Sequence, residues 1–216
     1  MPEKQTRNGR PSQRIQQREE TRKGLLKAAR RLFTTLGVES VSMEKIGSEA
    51  GVSRATIYLH FSGKPALLEA LLIEDWSGQI KLFEKLRGKD MFSGDQLERW
   101  LMRVAEGMRN ARDSFSIHRA ALGQNPELTF YHQRHKIQLA QLLLEAIGAA
   151  KGHCFDREAT ICAELIVAEI DYFATAAAIA WSHDELSTAL PIVAARLREF
   201  GQAERAKSCE AHRTYG

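Results

Sequence analysis

Between Ser53 and Phe61 the chain reads SRATIYLHF, a stretch without an acid. Arg54, Thr56, Tyr58 and His60 are hydrogen-bond donors, interleaved with the apolar Ala55, Ile57 and Leu59. On a helix, Ile57 and Phe61 lie one turn apart and hold the rod down, which leaves Arg54, Ala55, Thr56, Tyr58, Leu59 and His60 outward. An α-helix fits the major groove of duplex DNA, and the residues at its start reach the base edges. There Arg54 can give two hydrogen bonds to guanine, while Ala55 and Thr56 can touch a thymine methyl. Tyr58, His60 and Lys64 lie further along and suit phosphates better than bases.

Such a helix needs a scaffold, and the flanking sequence supplies one. Ser42 precedes MEKIGSEA, with Glu44 in the first turn, where the helix dipole favours an acid. Gly51 ends that short helix and Ser53 caps the next. Two short helices joined through Ala50-Gly51-Val52-Ser53 have the spacing of a helix-turn-helix. Ile46, Ala50, Val52, Ile57 and Phe61 are expected to pack it onto a preceding long helix. That helix carries the stripe Leu25, Ala28, Ala29, Leu32, Phe33 and Leu36, and Gly37 follows as its C-terminal cap. Pro65 suits the first turn of a fourth helix bearing Leu67, Leu68, Leu71 and Leu72. Helix starts at Ser42 and Lys64 offer backbone N–H groups to anions. The competing reading is a helix-turn-helix used only for packing.

Charge distribution argues against that. The 216 residues carry a net +4, yet the segment up to Arg31 has ten bases against three acids, leaving −3 on the rest. A basic N-terminus on a mildly acidic body suits a local polyanion contact. Residues 1–17 read as a basic flexible arm, helical from some point after Pro11. Arg7, Arg10 and Arg14 either enter a minor groove or act as an electrostatic tail; only the first changes base preference beside the site.

The composition is that of a globular chain, 44% hydrophobic and 27% charged. Cys154, Cys162 and Cys209 are odd in number and far apart, against a disulfide framework or structural zinc. The N-terminus shows no signal-peptide pattern, and the most apolar run, Leu165 to Trp181, is broken by Glu169 and Asp171. No membrane partner and a cytoplasmic setting are expected. Beyond Gly88 the periodicity stays helical, with segments over 93–111, 113–123, 126–150, 156–182 and 184–206. The fold class read from the pattern is all-α, with a helix-turn-helix domain over 18–64, a larger helical domain over 65–206 and a polar tail over 207–216.

The stretch SVSMEKIGSEAGVSRATIYLHFSGKPALLEALL, residues 40–72, resembles the N-terminal domain of the TetR family of bacterial transcription regulators. Ile46 and Ala50, Gly51-Val52-Ser53, Thr56-Ile57-Tyr58, His60-Phe61, Lys64 and Leu67-Leu68 carry the likeness, together with Ala28, Leu32, Phe33 and Gly37. It covers residues 20–72; Pro65 stands where the family pattern often has an acid. The resemblance implies an all-helical homodimer whose N-terminal three-helix domain binds palindromic double-stranded operator DNA. It further implies a C-terminal domain that dimerises and takes a small-molecule effector. Ser42, Arg54, Thr56, Tyr58, His60 and Lys64 are the DNA contacts it implies. Repression, relieved by effector, is the family's usual mode. Two-fold symmetry would set the reading helices about 34–36 Å apart, or a multiple of one turn.

In the C-terminal part, residues 156–182 form a helix apolar on most of its circumference, with a polar line of Glu164, Asp171 and Thr175. It must be covered on more than one side. With the stripe Leu186, Leu190, Val193, Leu197 and Phe200 it makes a candidate four-helix dimer bundle, with Ile161, Leu165, Ile179, Leu190, Val193 and Leu197 at the interface. A purely internal core is the other reading. Pro191 either kinks the last helix or marks its first turn. Glu169 lies off the polar line and needs either an effector group or an arginine. An effector pocket for an apolar or aromatic compound is expected among Trp100, Val104, Met108, Phe115, His118, Phe130, Tyr131, His135, Tyr172 and Phe173. His132, His135 and His153 read as isolated histidines rather than a metal site.

No nucleophile elbow, phosphate loop or ligand-spaced acid cluster is present, so neither catalysis nor a cofactor is expected. The two competing functions are a DNA-binding dimer whose large domain takes no ligand, and an enzyme that uses the N-terminal domain for targeting.

Overall fold

The computed structural model describes residues 13–87, 92, 94–125, 127–148 and 155–214. Among these every regular element is helical: α1 Gln13–Leu36, α2 Met43–Glu49, α3 Arg54–His60, α4 Lys64–Glu84, α5 Gln96–Asn110, α6 Phe115–Gln124, α7 Glu127–Ile147, α8 Arg157–Ile179 and α9 His183–Thr214, with a 3-10 turn at Arg112–Ser114. The all-α expectation holds. The chain divides into two compact units, one running to Leu71 with Ser116–Gln124 added, the other comprising Leu72–Phe115 and the chain from Asn125 onward.

In the first unit α1 packs on α2, and α2 on α3. Leu25, Ala29 and Phe33, four residues apart, are buried along one face of α1, and Ile46, Ile57, Leu67 and Leu68 are fully buried. Ser42 Oγ accepts from Lys45 N at 3.2 Å and Ser53 Oγ from Thr56 N at 3.1 Å, so each short helix is capped as its sequence suggests. Gly51 sits at φ +70°, a conformation that strains residues with a side chain. Gly47 is buried beside that turn. A Cβ there would come to 3.4 Å from the Val52 carbonyl and 3.5 Å from Ile57 Cγ2, ordinary contact distances, so Gly47 lies against the turn and α3 without a clash that excludes a side-chain carbon. Val52 N–H seals the turn on the Gly47 carbonyl at 2.9 Å.

In the second unit α8 packs against α5, α7 and α9. The core draws Leu97, Trp100 and Leu101 from α5, Leu143 and Ile147 from α7, Val167, Ile170 and Phe173 from α8, and Val193, Ala194 and Leu197 from α9. The Trp100 indole N–H donates to the Leu82 carbonyl at 2.7 Å, which satisfies the polar edge of a buried ring. Asp156 caps α8 by accepting from Ala159 N at 2.7 Å. Pro191 lies inside α9, beyond its first turn.

Two boundaries differ from the sequence reading. α1 starts at Gln13, just after Pro11, where the arm was expected to become helical, but α9 continues through most of the expected tail to Thr214. Residues 116–124 group with the N-terminal unit although they lie in the middle of 65–206. Ile117 and Ala121, four apart and buried, give α6 an apolar face, and nothing in linear order says which unit it faces.

Candidate nucleic-acid interface

α3 is seven residues long, and Ile57, fully buried, holds it to its unit. Phe61, just past its end, is buried too. Arg54, Ala55, Tyr58 and Leu59 are exposed, Leu59 to 71%; Thr56 and His60 are half-buried. Ser42 is exposed at the start of α2, and Lys64 is half-buried at the start of α4. The first unit therefore brings all seven expected DNA-contact residues into one domain.

The polar side chains are already engaged with one another. Arg54 Nε lies 3.4 Å from Glu44 Oε1, and the Tyr58 hydroxyl donates to the same oxygen at 3.3 Å. The Arg54 guanidinium sits 5.7 Å from the Tyr58 ring centre. A backbone hydrogen bond, helped by Arg54, holds the Glu44 carboxyl below its ordinary pKa, so it is ionised at neutral pH. Tyr58 has a single proton and gives it to Glu44; a phosphate contact requires exchanging that bond. Thr56 Oγ1 lies 2.9 Å from Ser53 Oγ. Lys64 Nζ donates to the carbonyls of Val38 at 2.9 Å and Glu39 at 3.4 Å, which leaves one of its three protons for a phosphate. That anchoring spans 26 residues of sequence and has no local signature.

The α1 helix supplies groups the sequence reading did not assign. Burial lowers the His60 pKa first, and the charges of Arg18 and Arg22 lower it further, so the ring is neutral at pH 7. Arg22 also places its guanidinium 4.5 Å from the Phe61 ring centre. Arg14, Arg18 and Arg22 succeed one another every four residues along α1, and that spacing was the available signal. Arg14 is exposed in the first turn; Arg7 and Arg10 lie outside the described residues.

The residues expected to line an effector pocket lie in different surroundings. Trp100, Val104 and Phe173 are buried core, and Met108 packs half-buried against it. Phe115 is half-buried, and His118 belongs to the other unit. Phe130 is 75% exposed, and Tyr131 and Tyr172 also face solvent. His135 is buried, stacked 5.3 Å from Trp76, with its Nε2–H donating to Gln79 Oε1 at 2.7 Å. Burial chiefly, then Lys136 and His132, push its pKa down to about 4. Among the described residues an open groove of about 410 Å³ lies between α8 and α9, lined by Glu169, Tyr172, Phe173, Trp181, Ala189, Ile192, Val193 and Arg196. It shares only Tyr172 and Phe173 with the expected set. Aromatic residues at helical spacing mark core as readily as cavity. Glu169 pairs with Arg196 Nη1 at 3.1 Å, within the same chain.

The expected dimer residues divide by helix. On α8, Ile161, Leu165 and Ile179 are exposed, and with Ala168 and Tyr172 they make every exposed position after Glu158 apolar. On α9, Val193 and Leu197 are buried in the chain's own core and Leu190 is half-buried, contrary to expectation. That stripe seats α9 on its own unit; the large apolar residue α9 turns outward is Ile192. Among the described residues no three His, Cys, Asp or Glu side chains converge as a metal site, and no helix is long and apolar enough to cross a membrane.

Comparison with known proteins bears on the same segment. Residues 25–71 match the family described as bacterial regulatory proteins, tetR family. The transcriptional regulator SrpR of Pseudomonas putida is 41% identical over 54 residues, which are 25% of each chain. AcrR of Shigella flexneri is 38% identical over 84 residues, 38% of this chain and 37% of its own. The chain thus aligns with about a quarter to two-fifths of these regulators' length. Solved structures extend the likeness to most of the chain. Salmonella enterica GusR superposes with a TM-score of 0.65 at 25% identity, over 83% of this chain and 96% of its own. A tetR-family regulatory protein from Rhodococcus RHA1 gives 0.60 at 19% identity, over 83% and 96%, a likeness of fold alone. Residues 25–71 thus match the tetR-family helix-turn-helix segment, and they are set in a chain whose helical architecture is similar to that of GusR.

Proposed function

We propose that this protein is a dimeric, effector-responsive regulator of transcription that reads operator DNA with α3. The observation that carries the reading is the disposition of that helix. It has one fully buried residue and an outer face of Arg54, Ala55, Tyr58 and Leu59 without an acid on the helix. Arg54 and Ala55 suit base edges; Tyr58, His60, Lys64 and the Arg14–Arg18–Arg22 line suit phosphates. A second copy of the chain is the proposed cover for the apolar face of α8, since large exposed apolar side chains at one helical spacing mark an interface. The groove beside Glu169 and Arg196 shares Tyr172 with that face and opens beside Ile192, so we assign it to the dimer contact rather than to an effector.

Control by a small apolar or aromatic effector, most simply as release of a repressor, is proposed for the second unit. α4 supports it. The helix is anchored near its start by Lys64 on the Val38 and Glu39 carbonyls, and in its middle by Trp76 and Gln79 on His135. One continuous helix thus carries contacts in both units, and a compound that shifts its second half displaces Lys64.

Selection of bound duplexes from a random pool, with and without candidate effectors, tests the reading. Arg54→Ala should relax preference at one base pair by about tenfold or more. Arg18→Ala should instead weaken all duplexes alike and lower the salt slope by about one. A protein that selects no duplex at low salt would remove the proposal.

A further inference from the structure

We propose that Glu44 is the positioning residue for base readout: a carboxylate from α2 that holds Arg54 by Nε and turns its terminal amino groups toward the groove. The inference rests on the assignment of α3 as the reading helix. One oxygen, Oε1, meets both Arg54 Nε at 3.4 Å and the Tyr58 hydroxyl at 3.3 Å. The Tyr58 ring bounds the guanidinium on another side, 5.7 Å away. Arginine has five N–H donors in a fixed fork. With Nε paired to Glu44 as an ion pair at 3.4 Å, the four N–H groups on Nη1 and Nη2 stay available, and a guanine edge needs two of them for O6 and N7.

The exposure of the pair shows what it is for. The Arg54 side chain is 75% accessible and that of Glu44 46%, and exposed ion pairs add little to folding stability. An unrestrained arginine, however, loses much rotamer freedom on binding, and a pre-oriented one loses less. Glu44 also sets a negative charge beside a face that meets a polyanion. A duplex that offers Arg54 no guanine meets that repulsion uncompensated, so the acid lowers binding to wrong sequences while aiding the right one.

The test uses the full chain and its selected operator, changed base pair by base pair, with an unrelated duplex alongside. Glu44→Gln should cut discrimination at the Arg54 base pair about tenfold and leave binding to the unrelated duplex equal or tighter. In an Arg54→Ala background the same change should no longer alter base preference. Glu44→Asp, which keeps the charge but retracts the carboxylate, should lose discrimination without the gain on unrelated DNA. The thermal midpoint should stay put in both Glu44 variants. Unchanged preference in Glu44→Gln overturns the proposal, as does an equal loss on every duplex, or altered preference at a base pair other than the one Arg54 reads. If Arg54→Ala itself leaves base preference intact, the assignment of α3 falls together with the role of Glu44; if only Glu44→Gln is silent, that assignment stands.

Discussion

α3 and α8 turn opposite kinds of surface to solvent. The outer side of α3 carries arginine and tyrosine, bound to one another and to Glu44. The outer side of α8 carries Ile161, Leu165, Ala168, Tyr172 and Ile179, with no polar residue fully exposed between them. Neither face is needed to hold its own unit together: Ile57 seats α3, and Val167, Ile170 and Phe173 seat α8. What each leaves outward therefore points to its partner, hydrogen-bond donors for a polyanion and apolar area for a second protein surface. A single charge on each face separates the two cases, because a carboxylate is useful beside Arg54 and destructive in an apolar contact.

The largest effect is expected on α8. Leu165→Glu combined with Ile179→Glu puts unpaired charges where the proposed second copy packs. Breaking even one buried charge balance costs about 3–5 kcal/mol, so the dimer dissociation constant should rise roughly a thousandfold. Both positions are exposed in the single chain, so its folding should survive. Sedimentation velocity reads the outcome, and a double variant that stays dimeric would break the contrast drawn between the helices.

A pair of histidines sharpens the same contrast from inside. His60, the last residue of α3, and His135, within the second unit, both have lowered pKa values, with burial the leading cause in each. A histidine whose folded pKa lies below its unfolded value resists protonation in the native state. The unfolded chain then takes up more protons as pH falls, and stability declines. For His135 the window runs from the ordinary value of 6.5 down to about 4. Full titration removes about 3 kcal/mol. Thermal midpoints measured between pH 7 and 4 should show the decline, and His135→Gln should flatten it more than His60→Gln. An unchanged slope in His135→Gln would mean that the Trp76–Gln79 setting does not exclude the proton.

These contrasts also show what the sequence could and could not convey. The helix-turn-helix was legible because its determinants are local: Ser42 and Ser53 cap the helices they precede, Gly51 makes the turn, and Ile57 marks the inward side. Its internal wiring was less so. Glu44 was read only as a helix-start acid, and nothing within a turn or two of Lys64 points to Val38 and Glu39. In the second unit the helices were legible from their period, but their faces were not. The Leu190–Val193–Leu197 stripe fits an internal seat and a dimer seam equally well, and only packing against α8 and α5 directs Val193 and Leu197 inward. The groove likewise depends on Trp181, Ile192 and Arg196 meeting α8, a conjunction of residues distant along the chain.

The smallest expected effect compares two helix caps. Ser53 Oγ accepts from Thr56 N at 3.1 Å, and Asp156 Oδ1 from Ala159 N at 2.7 Å. Removing either by substitution with alanine should lower stability by about 1 kcal/mol, since each leaves a first-turn N–H without its acceptor. The functional consequences should diverge. α3 is only seven residues long, so loosening its first turn moves Arg54 directly, and Ser53→Ala should weaken operator binding and blur base preference. α8 is 23 residues long with nine buried, and fraying at Arg157 is far in sequence from Leu165 and Ile179. Asp156→Ala should therefore match Ser53→Ala in chemical denaturation while leaving both dimerisation and operator affinity unchanged. Equal losses of DNA binding in the two variants would mean that general stability, not the local order of α3, governs recognition.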